Sequence, residues 1–276
     1  MSNKLIHAMT GAFVAAAMFA TPVMAKTDAA TEAAIKAALA GNHRSAENKA
    51  RDQYRHPLET LKFIGLNKDM KVLEVWPGGG WWTEVLAPVL KGNYTAAHFD
   101  PARSEGSKKM VDAYKADIAK NEAVYGKPTV AVLMPQTNQM TPVPAGSQDM
   151  VLTFRNIHNW MAGGQEDAMF KVFYDSLKPG GYLGLEEHRA KNDQPQDPKA
   201  VSGYVREDYA IALAEKAGFK LVAKSDVNAN PKDTKDYAKG VWTLPPTYRE
   251  GDVDKAKYTA IGESDRFTML FQKPAK

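Results

Sequence analysis

Lys71-Val72-Leu73-Glu74-Val75-Trp76-Pro77-Gly78-Gly79-Gly80 decides how the rest of the chain is read. A short, mostly apolar run cut off by a proline and three glycines reads as a buried strand entering a tight turn. A helical pattern from about Trp81 to Leu90 comes directly after, so strand, turn and helix form one unit. Glycines lack a Cβ, and backbone at such a turn can approach a ligand closely. Dinucleotide-binding turns use G-x-G-x-x-G, and the spacing here is different. The same glycines would also suit a turn that only lets the helix pack on the strand.

Outward from this unit the alternation continues. Tyr94–Phe99, Thr129–Met134, Asp149–Phe154, Tyr182–Glu186, Phe219–Ser225 and Arg266–Gln272 read as strands. Met110, Tyr114 and Ile118 at i, i+4, i+8 mark a helix within 103–124. Helices are also expected over 165–177 and 206–217, the second closed by Gly218. This order implies an α/β fold: a Rossmann-like, doubly wound, mostly parallel sheet with helices on both faces. Residues 135–147 read as a loop and 190–203 as a polar insertion. Residues 227–263 are too long for an ordinary loop and are expected to form a functional cover. His56-Pro57 opens a helix, since proline suits the first helical position. The Ala-rich stretch 28–50 has no wide apolar stripe, so 26–55 reads as a solvated or loosely docked helical extension of a 56–276 domain.

The 276 residues carry 36 Lys+Arg against 32 Asp+Glu, a formal charge of +4. That small excess offers no electrostatic case for nucleic acid. Hydrophobic residues make up 44% and charged residues 25%, which a soluble globular chain needs to bury a core. There are no cysteines, which excludes disulfides, thiolate metal sites and a thiol nucleophile. Lys4, the apolar run Leu5–Ala20 and Val23-Met24-Ala25 read as a secretory signal peptide over 1–25. The run is short of the roughly 20 residues that span a bilayer. The expectation is therefore a periplasmic protein starting at Lys26, with no membrane association after signal cleavage.

Val72–Gly80 resembles the first motif of class I S-adenosylmethionine-dependent methyltransferases, hh-E-h-G-x-G-x-G, and later stretches resemble further marks of that family in order. Ala97-His98-Phe99-Asp100-Pro101 resembles the end of its second strand, where an acid holds the ribose. Pro142–Val151 resembles its fourth-strand motif, Phe154-Arg155-Asn156-Ile157-His158 the segment after it, and Leu177-Lys178-Pro179-Gly180-Gly181 the entry to strand five. More narrowly, the leader together with His98-Phe99-Asp100-Pro101 and Arg155–Trp160 resembles a group of exported bacterial methyltransferases. The resemblance implies a seven-stranded sheet with its last strand antiparallel. It also implies S-adenosyl-L-methionine as cofactor, on Glu74, Pro77, Gly78, Gly79, Gly80, His98, Asp100 and Arg155, and a small-molecule methyl acceptor. Three positions depart from the pattern. Trp76 replaces the first glycine, His98 stands at the ribose position, and Thr137 or Asn138 stands where an acid often faces the adenine.

His98, His158 and His188 fall at the ends of the second, fourth and fifth family strands, and are expected on one rim. Imidazole suits a general base near neutral pH. His158, Glu187 and His188 are the candidate catalytic residues. A carboxylate raises the pKa of a nearby imidazole, so the better base is the histidine farther from Glu187, expected to be His158. No H-x-H or H-x-x-x-H spacing is present, and no metal site is assigned. A binding protein that kept the fold for another ligand is the alternative. The acceptor and the oligomeric state are left open.

Overall fold

The computed structural model describes residues 26–137, 139–141 and 143–275. The expected leader, 1–25, lies outside the described residues, as does Asn138. The strands are β1 (Val72–Val75), β2 (Tyr94–His98), β3 (Thr129–Met134), β4 (Gln139–Thr141), β5 (Gln148–Phe154), β6 (Leu177–His188), β7 (Lys220–Ser225) and β8 (Arg266–Gln272). They form one sheet in the order β4-β3-β2-β1-β5-β6-β8-β7. From β3 to β6 every pairing is parallel. β8 runs antiparallel to both β6 and β7.

The helices are α1 (Ala29–Ala40), α2 (Ala46–Ala50), α3 (Asp52–Arg55), α4 (Pro57–Phe63), α5 (Thr83–Leu90), α6 (Glu105–Lys120), α7 (Glu122–Tyr125), α8 (Ile157–Gly163), α9 (Glu166–Ser176), α10 (Glu207–Lys216) and α11 (Lys255–Ile261). Strand alternation sends side chains to both sheet faces, and each face is covered. Leu73 and Val75 join Trp160, Phe170 and Phe173 on one side. Val72 joins Leu61, Leu86 and Leu90 on the other. Among the described residues no helix is long and apolar enough to cross a membrane.

Two expectations are corrected. The sheet has eight strands, not seven, because part of the 135–147 stretch folds back. After a turn at Pro135–Thr137, β4 pairs antiparallel with Val132–Met134 and takes up ladder groups that an edge strand would leave unpaired. The N-terminal extension is also firmly docked. Its weak stripe is enough because alanines let α1 approach closely, and Ile35 is fully buried there. The buried Arg44 then pairs with Asp52 at 2.7 Å and with Glu84 of α5 at 3.3 Å.

The carboxyl ends of β1, β2, β5 and β6 meet at one edge, where ligands bind in open α/β sheets. Antiparallel β8 starts at that same edge, with Arg266 opposite His188.

Candidate active site

The turn after β1 is held by its neighbours. Trp76 N–H donates to Ala97 O at 2.8 Å, and Asn156 Nδ2 donates to Val75 O at 3.1 Å. His98 Nδ1 accepts from Phe99 N–H at 2.8 Å, which leaves the proton on Nε2 to donate to Gly78 O at 3.3 Å. Burial pushes the His98 pKa down, consistent with a neutral ring. His98 therefore braces the turn and is not among the residues that border the cavity of the other two histidines.

The three glycines differ. A Cβ on Gly78 or Gly79 would meet nothing within 4 Å, so both border open space. Gly80 backs onto α6: its Cβ would lie 3.3 Å from the Tyr114 ring, and its φ of +85° disfavours a side chain. Behind it Tyr94 Oη donates to Glu74, and Thr83 Oγ1 lies 2.9 Å from the hydroxyls of both Tyr94 and Tyr114. Burial raises Glu74 to about 7. Glu74 supports the turn from below and lines neither cavity beside it.

Those two cavities flank Trp76. One, of about 250 Å³, is bounded by Phe99, Asp100, Arg103, Met134 and Gln136. The other, of about 290 Å³, is bounded by Pro77, Gly78, Gly79, Arg51, Arg155 and Asn156, among others. Trp76 holds φ at +51° and packs edge-on against Phe99 at 4.6 Å and Trp160 at 5.9 Å. Trp76 borders both cavities. Asp100 Oδ1 accepts from Ala102 N–H at 2.8 Å, so one carboxylate oxygen is committed to the local turn. Trp81 lines the glycine-side cavity under Arg55, whereas Trp82 is in the core, stacked on Phe154.

A third cavity, of about 230 Å³, contains His158 and His188, whose rings are 5.3 Å apart. His158 Nδ1 lies 3.0 Å from Glu187 Oε1, and His158 N–H donates to Glu187 Oε2 at 3.3 Å. His188 N–H donates to the same carboxylate at 2.8 Å, while its ring Nδ1 bonds Ser264 Oγ. This overturns the expectation that His158 is the histidine farther from Glu187. α8 sets the His158 ring over the Glu187 carboxylate, while the His188 ring turns its Nδ1 to Ser264. His158 stays the candidate base for a different reason. With Nδ1 donating to Glu187 Oε1, Nε2 is the ring nitrogen left to take a proton. Burial, then His158, Arg155, Arg266 and Arg55, push the His188 pKa well down, which makes it the weaker base.

His158, Glu187 and His188 offer three ligand atoms within 4.8 Å of one another, a geometry that a cation could enter. Arg51, Arg55 and Arg155 face the same cavity, however, and their charge disfavours a second cation there. Arg155 follows β5 with φ at +60° and pairs with Glu186 at 3.3 Å. The long 227–263 segment covers this cavity. Asn228 anchors it by donating to Thr60, Glu186 and Thr268, each at 3.0 Å, and Trp242 lies 5.9 Å from the His158 ring.

Sequence reasoning does not single out Arg51, Arg55, Glu263 or Ser264. One signal is present: Arg51 and Arg55 are four apart, the spacing that puts two side chains on one helical face.

No protein-family profile matches the chain, and no curated protein matches it. Solved structures do. A S-adenosylmethionine-dependent methyltransferase from Aquifex aeolicus is 16% identical, with a TM-score of 0.54 over 81% of this chain and 93% of that one. The (4+2)-cyclase SpnF is 14% identical, with a TM-score of 0.56 over 92% and 100%. An arsenic(III) S-adenosylmethionine methyltransferase from Chlamydomonas reinhardtii is 16% identical, with a TM-score of 0.50 over 87% and 73%. The chain thus has the Rossmann-like fold of class I methyltransferases, and a fold alone does not assign a reaction.

Proposed function

We propose that this protein is an exported S-adenosylmethionine-dependent methyltransferase acting on a small molecule. The observation that carries this reading is the turn after β1. Gly78 and Gly79 border open space at the carboxyl edge of the sheet, so a ligand can lie against backbone there. The residues fit the cofactor in kind. Asp100 is available for ribose hydroxyls, and Arg155 for a carboxylate beside the glycines. When bound, S-adenosylmethionine supplies an electrophilic methyl group. The chain's own part is to align the acceptor and remove a proton, for which His158 Nε2 is poised by Glu187. Calorimetric titration with S-adenosylmethionine and S-adenosylhomocysteine tests this. One saturable site for each is expected, and no binding of either would sink the reading.

Trp76 favours a second reading, a non-catalytic binding protein on the same fold. Its side chain stands where the resemblance puts a glycine and separates two cavities that a long cofactor would have to join. Under that reading only Trp76→Gly would bind S-adenosylhomocysteine; under the main one the natural protein binds it too. Export is supported by the leader-like residues 1–25. The expected result is a periplasmic chain beginning at Lys26 on N-terminal sequencing, and cytosolic protein starting at Met1 would contradict it.

A further inference from the structure

The histidine-side cavity has a charge problem that the chain does not solve. Three guanidiniums border it, those of Arg51, Arg55 and Arg155, with the buried Arg266 bonded to the same acids, and the carboxylates these four bond are only two among the described residues. Arg51 and Arg55 share Glu263 at 2.6 and 3.2 Å, and Arg155 and Arg266 share Glu186 at 3.3 and 3.2 Å. Arg266 also reaches Glu263 at 3.3 Å. Burial opposes ionisation of Glu263, yet Arg55, Arg266, Arg51 and Arg155 hold it down to about 2. The third carboxylate, Glu187, is occupied by His158 and the His188 backbone.

Arg55 shows the deficit most directly. Its side chain is 4% exposed, it borders both this cavity and the glycine-side one, and its Nη1 has no hydrogen-bond partner among the described residues. A buried guanidinium donor without an acceptor is costly, and such groups are normally satisfied. Burial and the neighbouring guanidiniums push both Arg55 and Arg155 down from the usual arginine range. Arg155 is also held in a left-handed backbone conformation, a strain that collects at ligand sites. Across the cavity the wall is apolar: Val241, Trp242, Pro245 and Pro246.

We propose that this cavity seats a small molecule carrying an oxyanion, a carboxylate or a phosphate, on Arg51 and Arg55, with an apolar body against Trp242. An oxyanion accepts from the free Arg55 Nη1 and offsets the excess positive charge, and guanidinium forks suit both groups. His158 borders the same space, so the anion anchors the molecule beside the candidate base. That the anion belongs to the methyl acceptor rests on the transferase reading above; the anion site itself does not.

The experiment is calorimetric titration of the protein, without cofactor and at low salt, with benzoate, phenyl phosphate and neutral benzyl alcohol. At least one acid should bind saturably, and benzyl alcohol at least tenfold more weakly. The tighter acid identifies the oxyanion. Arg55→Lys keeps the charge but loses the fork, and should weaken that acid tenfold or more. Arg51→Gln should do the same, and its partly exposed side chain makes it the safer variant should Arg55→Lys fail to fold. No saturable binding of either acid, equal affinity for the alcohol, or unchanged affinity in folded variants would each overturn the proposal. So would displacement of the acid by S-adenosylhomocysteine, because the anion would then sit in the glycine-side cavity. A protein that binds the acid but not S-adenosylmethionine would keep the anion site and remove the transferase reading.

Discussion

The turn after β1 and the cavity after β5 and β6 share one edge of the sheet, yet they are built in opposite ways. The turn is backbone: its outer face is the open space over Gly78 and Gly79, and side chains brace it from behind. The cavity is side chains brought from separate parts of the chain: Arg51 and Arg55, Arg155 and His158, His188, and the segment from Val241 to Ser264. A site made of backbone needs one local motif. A site made of buried charges needs the whole fold, and its members must satisfy one another or a ligand.

The largest effect should come from the cavity. His158→Asn keeps an N–H for Glu187 but removes Nε2. It should lower turnover by roughly 10²–10⁴-fold while the melting temperature stays near that of the parent protein. His158→Ala should add a stability loss of roughly 1–3 kcal/mol by leaving the buried Glu187 carboxylate short of a partner. Near-parental activity in His158→Asn, with activity falling only in step with lost stability in His158→Ala, would make His158 structural and remove the contrast between the two regions.

The next effect lies beneath the turn. Burial raises Glu74 to about 7, against 4.5 in the unfolded chain, so the folded protein holds that proton more tightly. Its contribution is full below pH 4.5 and lost as pH rises through 7. Glu74→Gln mimics the protonated acid. It should raise stability by about 3 kcal/mol at pH 8 and change it little at pH 4.5. Denaturant titrations at the two pH values check this, and an equal change at both would mean that Glu74 does not titrate between them.

How much of each region is legible in the sequence depends on how it is built. Strands β1, β2, β3, β5, β7 and β8 are readable because each is a short apolar run bounded by turn residues, as Thr129–Met134 is by Pro128 and Pro135. β4 is not, because Gln139–Thr141 is a strand only by pairing with the end of β3. The glycine turn is legible, but not the division of labour within it: what separates Gly79 from Gly80 is the Tyr114 ring, which α6 brings from far along the chain. The nearness of His158 and His188 comes from strand order. The pairing of Glu187 with His158 does not, since it depends on how α8 leaves β5. Arg51 and Arg55 are hidden by the bland composition of their segment, whose docking rests on small contacts such as Ile35 and Ala38.

Smaller effects separate the glycines. Gly80→Val forces a side chain into the Tyr114 ring and should cost roughly 1–3 kcal/mol of stability, as overpacking does, measured by chemical denaturation. Asp100→Ala should weaken cofactor binding by roughly 1–3 kcal/mol if its carboxylate accepts ribose hydroxyls. It should leave the affinity for a small acid in the histidine-side cavity unchanged. Loss of both affinities together would mean the two regions are one site.

Gly79→Val tests the central claim most directly, because Gly79 combines open space with a backbone conformation that any residue adopts. The measurement is calorimetric titration of this variant with S-adenosylhomocysteine, beside the natural protein and with thermal melts of both. An unchanged melting temperature is expected, with binding abolished by a side chain in the ligand's place. Unchanged affinity in a folded Gly79→Val protein would contradict it, since the ligand would then lie away from the turn.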